Sequence, residues 1–93
     1  MKLKDLCVFS TEFPDADFWI VNKGTEEEIG SPTKTFDPEY IGVKVTRTDI
    51  LVPGYLYYAF MYLKQNGVLS NLAKEVNGKM IIKISDIKEI PIG

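Results

Sequence analysis

The sequence predicts a single α+β domain, residues 1–93, with a small mixed β-sheet, two packed helices and a short C-terminal helix. Three observations predict this class. The first half carries short β-branched and aromatic runs, the middle carries an alternating apolar run, and the second half carries apolar residues at helical spacing. A chain of 93 residues has the size of one domain with one modest core. Strands followed by helices are typical of α+β architecture.

The predicted strands lie in the first half of the chain. Residues 6–9 and 18–21 are apolar runs separated by a polar loop. Residues 22–40 form a polar segment with several turn signals and room for one short strand at residues 28–29. After it, Ile41, Val43 and Val45 alternate with more polar or smaller residues, which is the period of a half-buried strand.

A long aromatic helix is predicted at residues 53–65. Pro53 suits the first helical turn, and Gly67 suits the left-handed position just past the end. One stripe of this helix should pack on the sheet: Tyr55, Leu56, Ala59, Phe60 and Leu63. Much of the remaining surface is also aromatic or apolar: Tyr57, Tyr58, Met61 and Tyr62. We expect Leu56, Ala59, Phe60 and Leu63 to share one core with Leu72, Val43 and Val45.

Three further elements are predicted after the aromatic helix. Apolar residues at helical spacing indicate a second amphipathic helix from residue 68 to residue 76, ending near Asn77 and Gly78. Residues 80–84 form an apolar run that predicts a strand. Ser85 is then expected to cap a short helix, residues 86–90, which Pro91 ends.

The composition indicates a globular chain in a reducing compartment. Hydrophobic residues make up 45% of the chain and charged residues 26%, and no apolar run approaches the roughly 20 residues of a membrane span. The first residues lack the apolar segment of a secretory signal, and the single cysteine has no partner for an internal disulfide. We therefore expect a cytoplasmic protein without membrane association.

Charge is distributed unevenly along the chain, although the net charge is only −2. Residues 1–40 contain four lysines and nine acidic residues, whereas residues 41–93 contain seven basic and four acidic residues. If the fold separates the two parts, the second half presents a basic surface that the net charge conceals.

The residues that most enzymes need are missing or poorly placed. The chain has no histidine, and Cys7 lies in a predicted strand with no base to activate it, so we expect it to be core. Asp15, Asp86 and Lys88 match the sequence motif of some metal-dependent nucleases. The segment from Asp86 to Lys88 is, however, predicted to be helical. We expect no catalytic activity, no metal and no cofactor.

Two segments resemble a known family of DNA-reading proteins. ILVPGYLYYAFMYLK, residues 50–64, is similar to a helix of form (Leu/Ile)-x-Pro-x-Tyr-Leu-Tyr-Tyr, and LAKEVNGKMIIKISDIKEIPI, residues 72–92, is similar to the segment that follows it. This helix and segment are found in the target-recognition domain of type I restriction-modification specificity subunits. The resemblance covers about three quarters of the chain, from about Phe18 to Ile92.

The resemblance implies a fold and a function, with two departures. It implies a target-recognition fold that binds DNA without catalysis. Family members usually carry two such domains joined by long spacer helices, which this sequence lacks, so the expectation is a half-size, stand-alone version. Residues 75–79 also replace the small Gly-Ser turn that is usual in the family.

Two functions from different classes remain open. The first is a DNA-recognition module, whose expected contacts flank the polar segment and the Asn-Gly turn: Lys23, Lys34, Lys44, Arg47 and Lys79. The second is an acidic protein-binding module of phage or mobile-element type that engages a restriction or transcription protein. Its expected surface combines the tyrosines of the helix with acidic residues: Tyr58, Tyr62, Asp15, Asp17, Glu26, Glu27 and Glu28.

The second face of the aromatic helix needs a cover under either function. One helix cannot direct Tyr58 and Tyr62 into the same core as Leu56 and Phe60. We expect Tyr58 and Tyr62 to contact a second copy of the chain or a larger partner. The alternative is that residues 24–36 fold back and bury them.

Overall fold

Two antiparallel sheets and three helices build the domain, and the structure, a computed structural model, describes residues 1–92. A short 3-10 helix, Leu3–Asp5, precedes the first strand. The strands are β1 (Cys7–Ser10), β2 (Phe18–Ile20), β3 (Lys23–Gly24), β4 (Pro32–Thr33), β5 (Ile41–Val45), β6 (Lys74–Val76) and β7 (Lys79–Ile81). The helices are α1 (Pro53–Gln65), α2 (Val68–Leu72) and α3 (Ile84–Lys88). The α+β class predicted from the sequence is confirmed.

The first sheet has the order β1-β5-β2-β4, and every neighbouring pair is antiparallel. The expectation of a mixed sheet is therefore wrong: β1 and β2 run in the same direction, but β5 lies between them. Val43 of β5 is opposite Phe9 on one side and Phe18 on the other, and it is fully buried. This strand is the centre of the core.

β5 is more buried than its alternating sequence predicts. Gly42, on the face that should meet solvent, is buried because the loop before β2 covers it. A Cβ atom at Gly42 would lie 2.8 Å from Cβ of Phe13 and 2.9 Å from Cβ of Ala16. Only Lys44 of this strand is exposed.

The polar segment contains two short strands, and neither is at the predicted position. Glu28 and Ile29 lie in a turn, where the amides of both residues donate to the carbonyl oxygen of Thr25 at 3.1 and 2.9 Å. The strands β3 and β4 lie on either side of this turn. Ile29 points into the core and is fully buried, which explains its apolar character without a strand.

The second sheet, of order β3-β7-β6, replaces the end of the predicted second helix. α2 ends at Leu72, because Ala73 adopts extended backbone angles of φ −74° and ψ 150°. Asn77 and Gly78, with φ of 52° and 83°, then form a tight two-residue turn between β6 and β7. Positive φ at both positions is typical of the type I′ hairpin turn that an Asn-Gly pair favours.

The last helix begins earlier than the sequence predicts. α3 spans Ile84–Lys88, so Ser85 lies inside it and does not cap it. The residue before the helix is Lys83, whose backbone amide donates to the Asp86 carboxylate at 3.3 Å. Pro91 follows the helix and forms an isolated antiparallel bridge with Lys2. The two ends of the described chain are therefore held side by side.

α1 packs on the first sheet through Leu56 and Phe60, which are buried. The rings of Phe60 and Phe18 meet edge to face, with centroids 5.8 Å apart. Ala59 and Leu63 pack against the same core but remain half-buried, as does Leu72 of α2. The predicted common core is confirmed.

Tyr55 and Tyr57 exchange the roles that the sequence predicts for them. Tyr57 is half-buried and meets Phe18 edge to face at 5.5 Å between centroids, whereas Tyr55 is exposed. Both residues lie at a margin of the buried stripe, so helical spacing alone did not separate them. Among the residues that the structure describes, no helix combines the length and apolar character needed to cross a bilayer.

Candidate functional site

Three lysines lie on one face of the second sheet. Lys23 of β3 and Lys74 of β6 are both directly opposite Ile81 of β7, one on each side. Directly opposed residues of antiparallel strands point to the same face, and so do residues two apart on one strand. Lys79, two residues before Ile81, therefore shares this face. We call Lys23, Lys74 and Lys79 the lysine face.

The lysine face points away from the core. Met80 alternates with Lys79 and Ile81 on β7 and packs against the core, and Ile82 just beyond is fully buried. All three lysines of the face are exposed. Glu75 is paired with Met80 and so lies on the opposite face. No acidic side chain of the second sheet shares the face with the lysines.

The positive charge of this face is not compensated by ion pairs. Within residues 1–92, the salt bridges engage Lys2, Lys4, Lys44 and Arg47, and none engages a residue of the lysine face. Exposed lysines without a carboxylate partner attract anions most strongly where several are close together. The lysine face is therefore suited to binding anions.

Lys44 and Arg47, two of the predicted DNA contacts, are paired with acidic residues. The Lys44 ammonium lies 3.9 Å from the Asp17 carboxylate and donates to the carbonyl oxygen of Asp15 at 3.4 Å. Arg47 donates to both carboxylate oxygens of Asp49, at 3.1 and 2.9 Å. This hydrogen bonding lowers the pKa of Asp49, which keeps the carboxylate charged beside the guanidinium. Both basic groups are thus locally neutralised.

Lys34 is also separate from the lysine face. It follows β4 of the first sheet, and its ammonium lies 4.5 Å from the ring centroid of Tyr57. A cation over a tyrosine ring is held by the negative charge of the ring face. Of the five predicted DNA contacts, the structure thus brings Lys23 and Lys79 together.

The sequence interpretation missed Lys74, the third member of the lysine face. The prediction of a helix over residues 68–76 placed Lys74 on a helix, away from Lys79. The Asn77-Gly78 pair was the signal that could have found it, because this pair favours a two-residue hairpin. A hairpin at that turn places Lys74 and Lys79 on the same face.

The turn of Glu26, Glu27 and Glu28 meets α1 at Lys64, which lies two residues after Tyr62 and so on another side of the helix. Glu26, Glu27 and Glu28 are exposed in the turn after β3, where the backbone carbonyl of Glu26 accepts from Lys64 at 3.4 Å. Asp17 lies in the loop before β2, and its carboxylate accepts from the Val45 amide at 2.8 Å. This contact gives Asp17 a role in joining its loop to the sheet.

Three tyrosines of α1 form an exposed stripe. Tyr55, Tyr58 and Tyr62 are 70%, 69% and 67% exposed. They are three and four residues apart, so they share one side of the helix. The segment 24–36 reaches Tyr57 through Lys34 but leaves Tyr58 and Tyr62 exposed. The alternative, that this segment buries them, is therefore wrong.

The tyrosine stripe borders an apolar groove between α1 and the paired chain ends. The groove has a volume of about 450 Å³. Its lining has no charged side chain: Leu3, Leu51, Tyr55, Leu56, Tyr58, Ala59, Phe60, Tyr62, Leu63, Ile90, Pro91 and Ile92. A second hollow of similar volume adjoins it and shares Leu51, Tyr55 and Ile92. We call the first hollow the tyrosine groove.

Groups that could perform covalent chemistry are scarce in the described part of the chain. Burial, with a smaller contribution from the charge of Asp17, raises the pKa of the Cys7 thiol to about 11. A thiol with this pKa is almost entirely protonated at neutral pH and is a poor nucleophile. Residues 1–92 contain no cluster of three or more metal-ligating side chains. Asp86 and Lys88 lie in α3, as the sequence predicts.

Two surfaces therefore carry the chemistry from which a function can be argued. The lysine face attracts anions, and the tyrosine groove offers apolar area that water solvates poorly. Both are suited to binding. Comparisons of the chain with protein-family models, with curated proteins and with solved structures found no match.

Proposed function

We propose that this chain is a non-catalytic module that binds duplex DNA through the lysine face. The observation that carries the proposal is the register of Lys23 and Lys74 on either side of Ile81, with Lys79 on the same face. Three exposed lysines without acidic partners form a local positive surface on a chain of net charge −2. DNA is a polyanion whose phosphates such a surface binds.

The dimensions of the face suit a duplex. Lys23 and Lys74 lie on the two outer strands of a three-stranded sheet, so their backbones are roughly 10 Å apart. The major groove of B-DNA is about 12 Å wide. Long flexible lysine side chains at this separation reach phosphates on both sides of the groove.

The overall negative charge is compatible with DNA binding. The acidic turn formed by Glu26, Glu27 and Glu28 lies after β3, and Asp15 and Asp17 lie beside β5. A Cβ atom at Gly24 would lie 3.6 Å from the Glu28 side chain, and Gly24 alternates with Lys23 along β3, so this carboxylate lies on the side of the sheet opposite the lysine face. The sequence similarity to target-recognition domains in residues 50–64 and 72–92 supports the same function.

Two variants with the same change of net charge test the proposal. Lys23→Gln/Lys74→Gln/Lys79→Gln neutralises the lysine face, and Lys34→Gln/Lys44→Gln/Arg47→Gln neutralises the three predicted contacts that lie elsewhere. With a fluorescent DNA duplex at low salt, we expect the first variant to lose about tenfold or more in affinity by fluorescence anisotropy. The second should retain most of the affinity. Equal losses, or no binding by the unmodified protein, would contradict the proposal.

A second candidate function is self-association through the tyrosine groove, with a second copy of this chain as the occupant. In a two-fold dimer a surface patch meets its own copy, so a patch that carries charges of one sign meets the same sign. The groove lining contains no charged side chain, which removes this repulsion. Tyr58 and Tyr62 supply the apolar rings with polar tips that are common anchors at interfaces.

A further inference from the structure

The tip of the β6–β7 hairpin, Val76 to Lys79, is a two-stranded ribbon, because β3 pairs only with Met80 and Ile81 of β7. The residues from Lys74 to Lys79 are all exposed, including the Asn77-Gly78 turn. β6 is an edge strand of the second sheet, and β7 lies between it and β3. One face of the ribbon is directed to solvent, and the other carries Met80, which packs against the core.

Val76 is an apolar residue beside Lys74 and Lys79, on the edge strand β6. It is directly opposite Lys79 in the hairpin, so its side chain lies on the lysine face. It is 49% exposed. Contacts with phosphate do not require an apolar side chain at this position. An exposed apolar side chain beside lysines suits a ligand that offers apolar groups between its charges.

The major groove of DNA has this combination of groups. Phosphates line both edges of the groove, and each thymine presents a C5-methyl group on its floor. A groove about 12 Å wide admits a two-stranded ribbon, whereas the minor groove, about 6 Å wide, does not. The major groove of A-form RNA is deep and narrow, so side chains cannot read it.

We infer that the β6–β7 ribbon lies with its lysine face in the major groove of B-form DNA, and that Val76 contacts a thymine methyl group. This inference rests on the proposed DNA-binding function and adds the groove and a specificity-determining residue to it. Lys23 and Lys74, on either side of Ile81, bind the phosphates that border the groove. Val76, which lies beside the hairpin turn, is then close to the base edges.

Replacing thymine by deoxyuracil tests this contact, because the exchange removes only methyl groups from the major groove. We expect the unmodified protein to bind an alternating A·T duplex about fourfold more tightly than the same duplex with deoxyuracil, the effect of burying one methyl group. Val76→Asn should bind both duplexes alike, because it offers thymine no methyl group, whereas Val76→Thr, which keeps one methyl group, should retain part of the preference. Val76→Thr also preserves β-branching, so it leaves the hairpin undisturbed.

The outcomes distinguish the inference from the function on which it rests. Equal affinity of the unmodified protein for the two duplexes would overturn the inference and leave DNA binding intact. A preference for thymine that Val76→Asn keeps in full would also overturn the role of Val76. Absence of binding to either duplex would instead overturn the proposed function. An RNA duplex of the same sequence should bind more weakly, since its groove excludes the ribbon.

Discussion

Lys23 and Lys74 face the same residue, Ile81, from the two sides of β7. They are distant in the sequence and become neighbours because β7 pairs with β3 on one edge and with β6 on the other. This pairing joins the polar segment of the first half to the basic second half. The lysine face therefore depends on the hairpin turn between β6 and β7.

The hairpin turn should tolerate alanine poorly at Gly78. Gly78 has φ of 83°, and a Cβ atom there would meet nothing within 4 Å, so the cost comes from the backbone conformation alone. We expect Gly78→Ala to lower the free energy of unfolding by about 1–2 kcal/mol in urea titrations. Gly54, in the first turn of α1, is the matched control, because a Cβ atom there also meets nothing within 4 Å. Gly54→Ala should stabilise by up to about 1 kcal/mol. Equal effects at the two sites would contradict the positive φ at Gly78.

Removal of the Phe60 ring should destabilise the core. Phe60 is fully buried and packs against Phe18, so Phe60→Ala loses apolar burial and leaves a cavity. We expect a loss of about 3–5 kcal/mol in the free energy of unfolding, a large part of the stability of a small domain. Tyr55→Ala on the exposed side of the same helix should change it by about 0.5 kcal/mol or less. An unchanged melting temperature for Phe60→Ala would show that this side of α1 does not face the core.

Stability should fall at alkaline pH because of Cys7. Burial, then the charge of Asp17, raises the pKa of this thiol from 9.0 to about 11. Between these values the unfolded chain releases the thiol proton while the folded chain keeps it, so the folded state loses stability as pH rises. The contribution of Cys7 should be complete below about pH 9 and lost toward pH 11, by roughly 2–3 kcal/mol. Urea unfolding from about pH 8 to about pH 11 measures it. Cys7→Ala should lack this additional fall, and parallel pH profiles would contradict the raised pKa.

The tyrosine groove should control the oligomeric state. At high protein concentration, we expect a light-scattering mass of two chains for the unmodified protein. Tyr58→Ser/Tyr62→Ser should shift the mass to one chain, since truncating an aromatic anchor typically costs about 2 kcal/mol of binding. Val8→Ser, which changes an exposed apolar residue of β1 outside the groove, is the control. A mass of one chain for the unmodified protein at every concentration would contradict the dimer. Binding of a different protein at the groove would show that the partner of the groove is not a second copy of the chain.

The sequence predicted the elements whose signals are local. Pro53 and Gly67 bounded α1 correctly, because the first is suited to a helix start and the second to the αL position after the end. The hairpin was missed because Leu72, Ala73 and Val76 also fit a helical spacing. Pairing of β6 with β7 decides between the two conformations, and that pairing is a tertiary interaction.

The candidate site was predictable only in part for the same reason. Lys23 and Lys79 were predicted as contacts from their positions beside turns. The pairing of Arg47 with Asp49 is local, since the two residues are two apart. The pairing of Lys44 with Asp17 requires β5 and β2 to be neighbours, which no sequence pattern specified. The sequence alone therefore could not predict that the charge of Lys44 is compensated by an acidic residue.

The salt dependence of DNA binding tests the account most directly. Each phosphate contact contributes a slope of about −0.9 to a plot of log affinity against log salt concentration. We expect Lys23→Gln/Lys74→Gln/Lys79→Gln to flatten this slope by nearly three units, because the proposed function assigns one phosphate to each lysine of the face. Lys34→Gln/Lys44→Gln/Arg47→Gln should leave the slope close to that of the unmodified protein. The same slope for the unmodified protein and the lysine-face variant would contradict the claim that this face binds DNA.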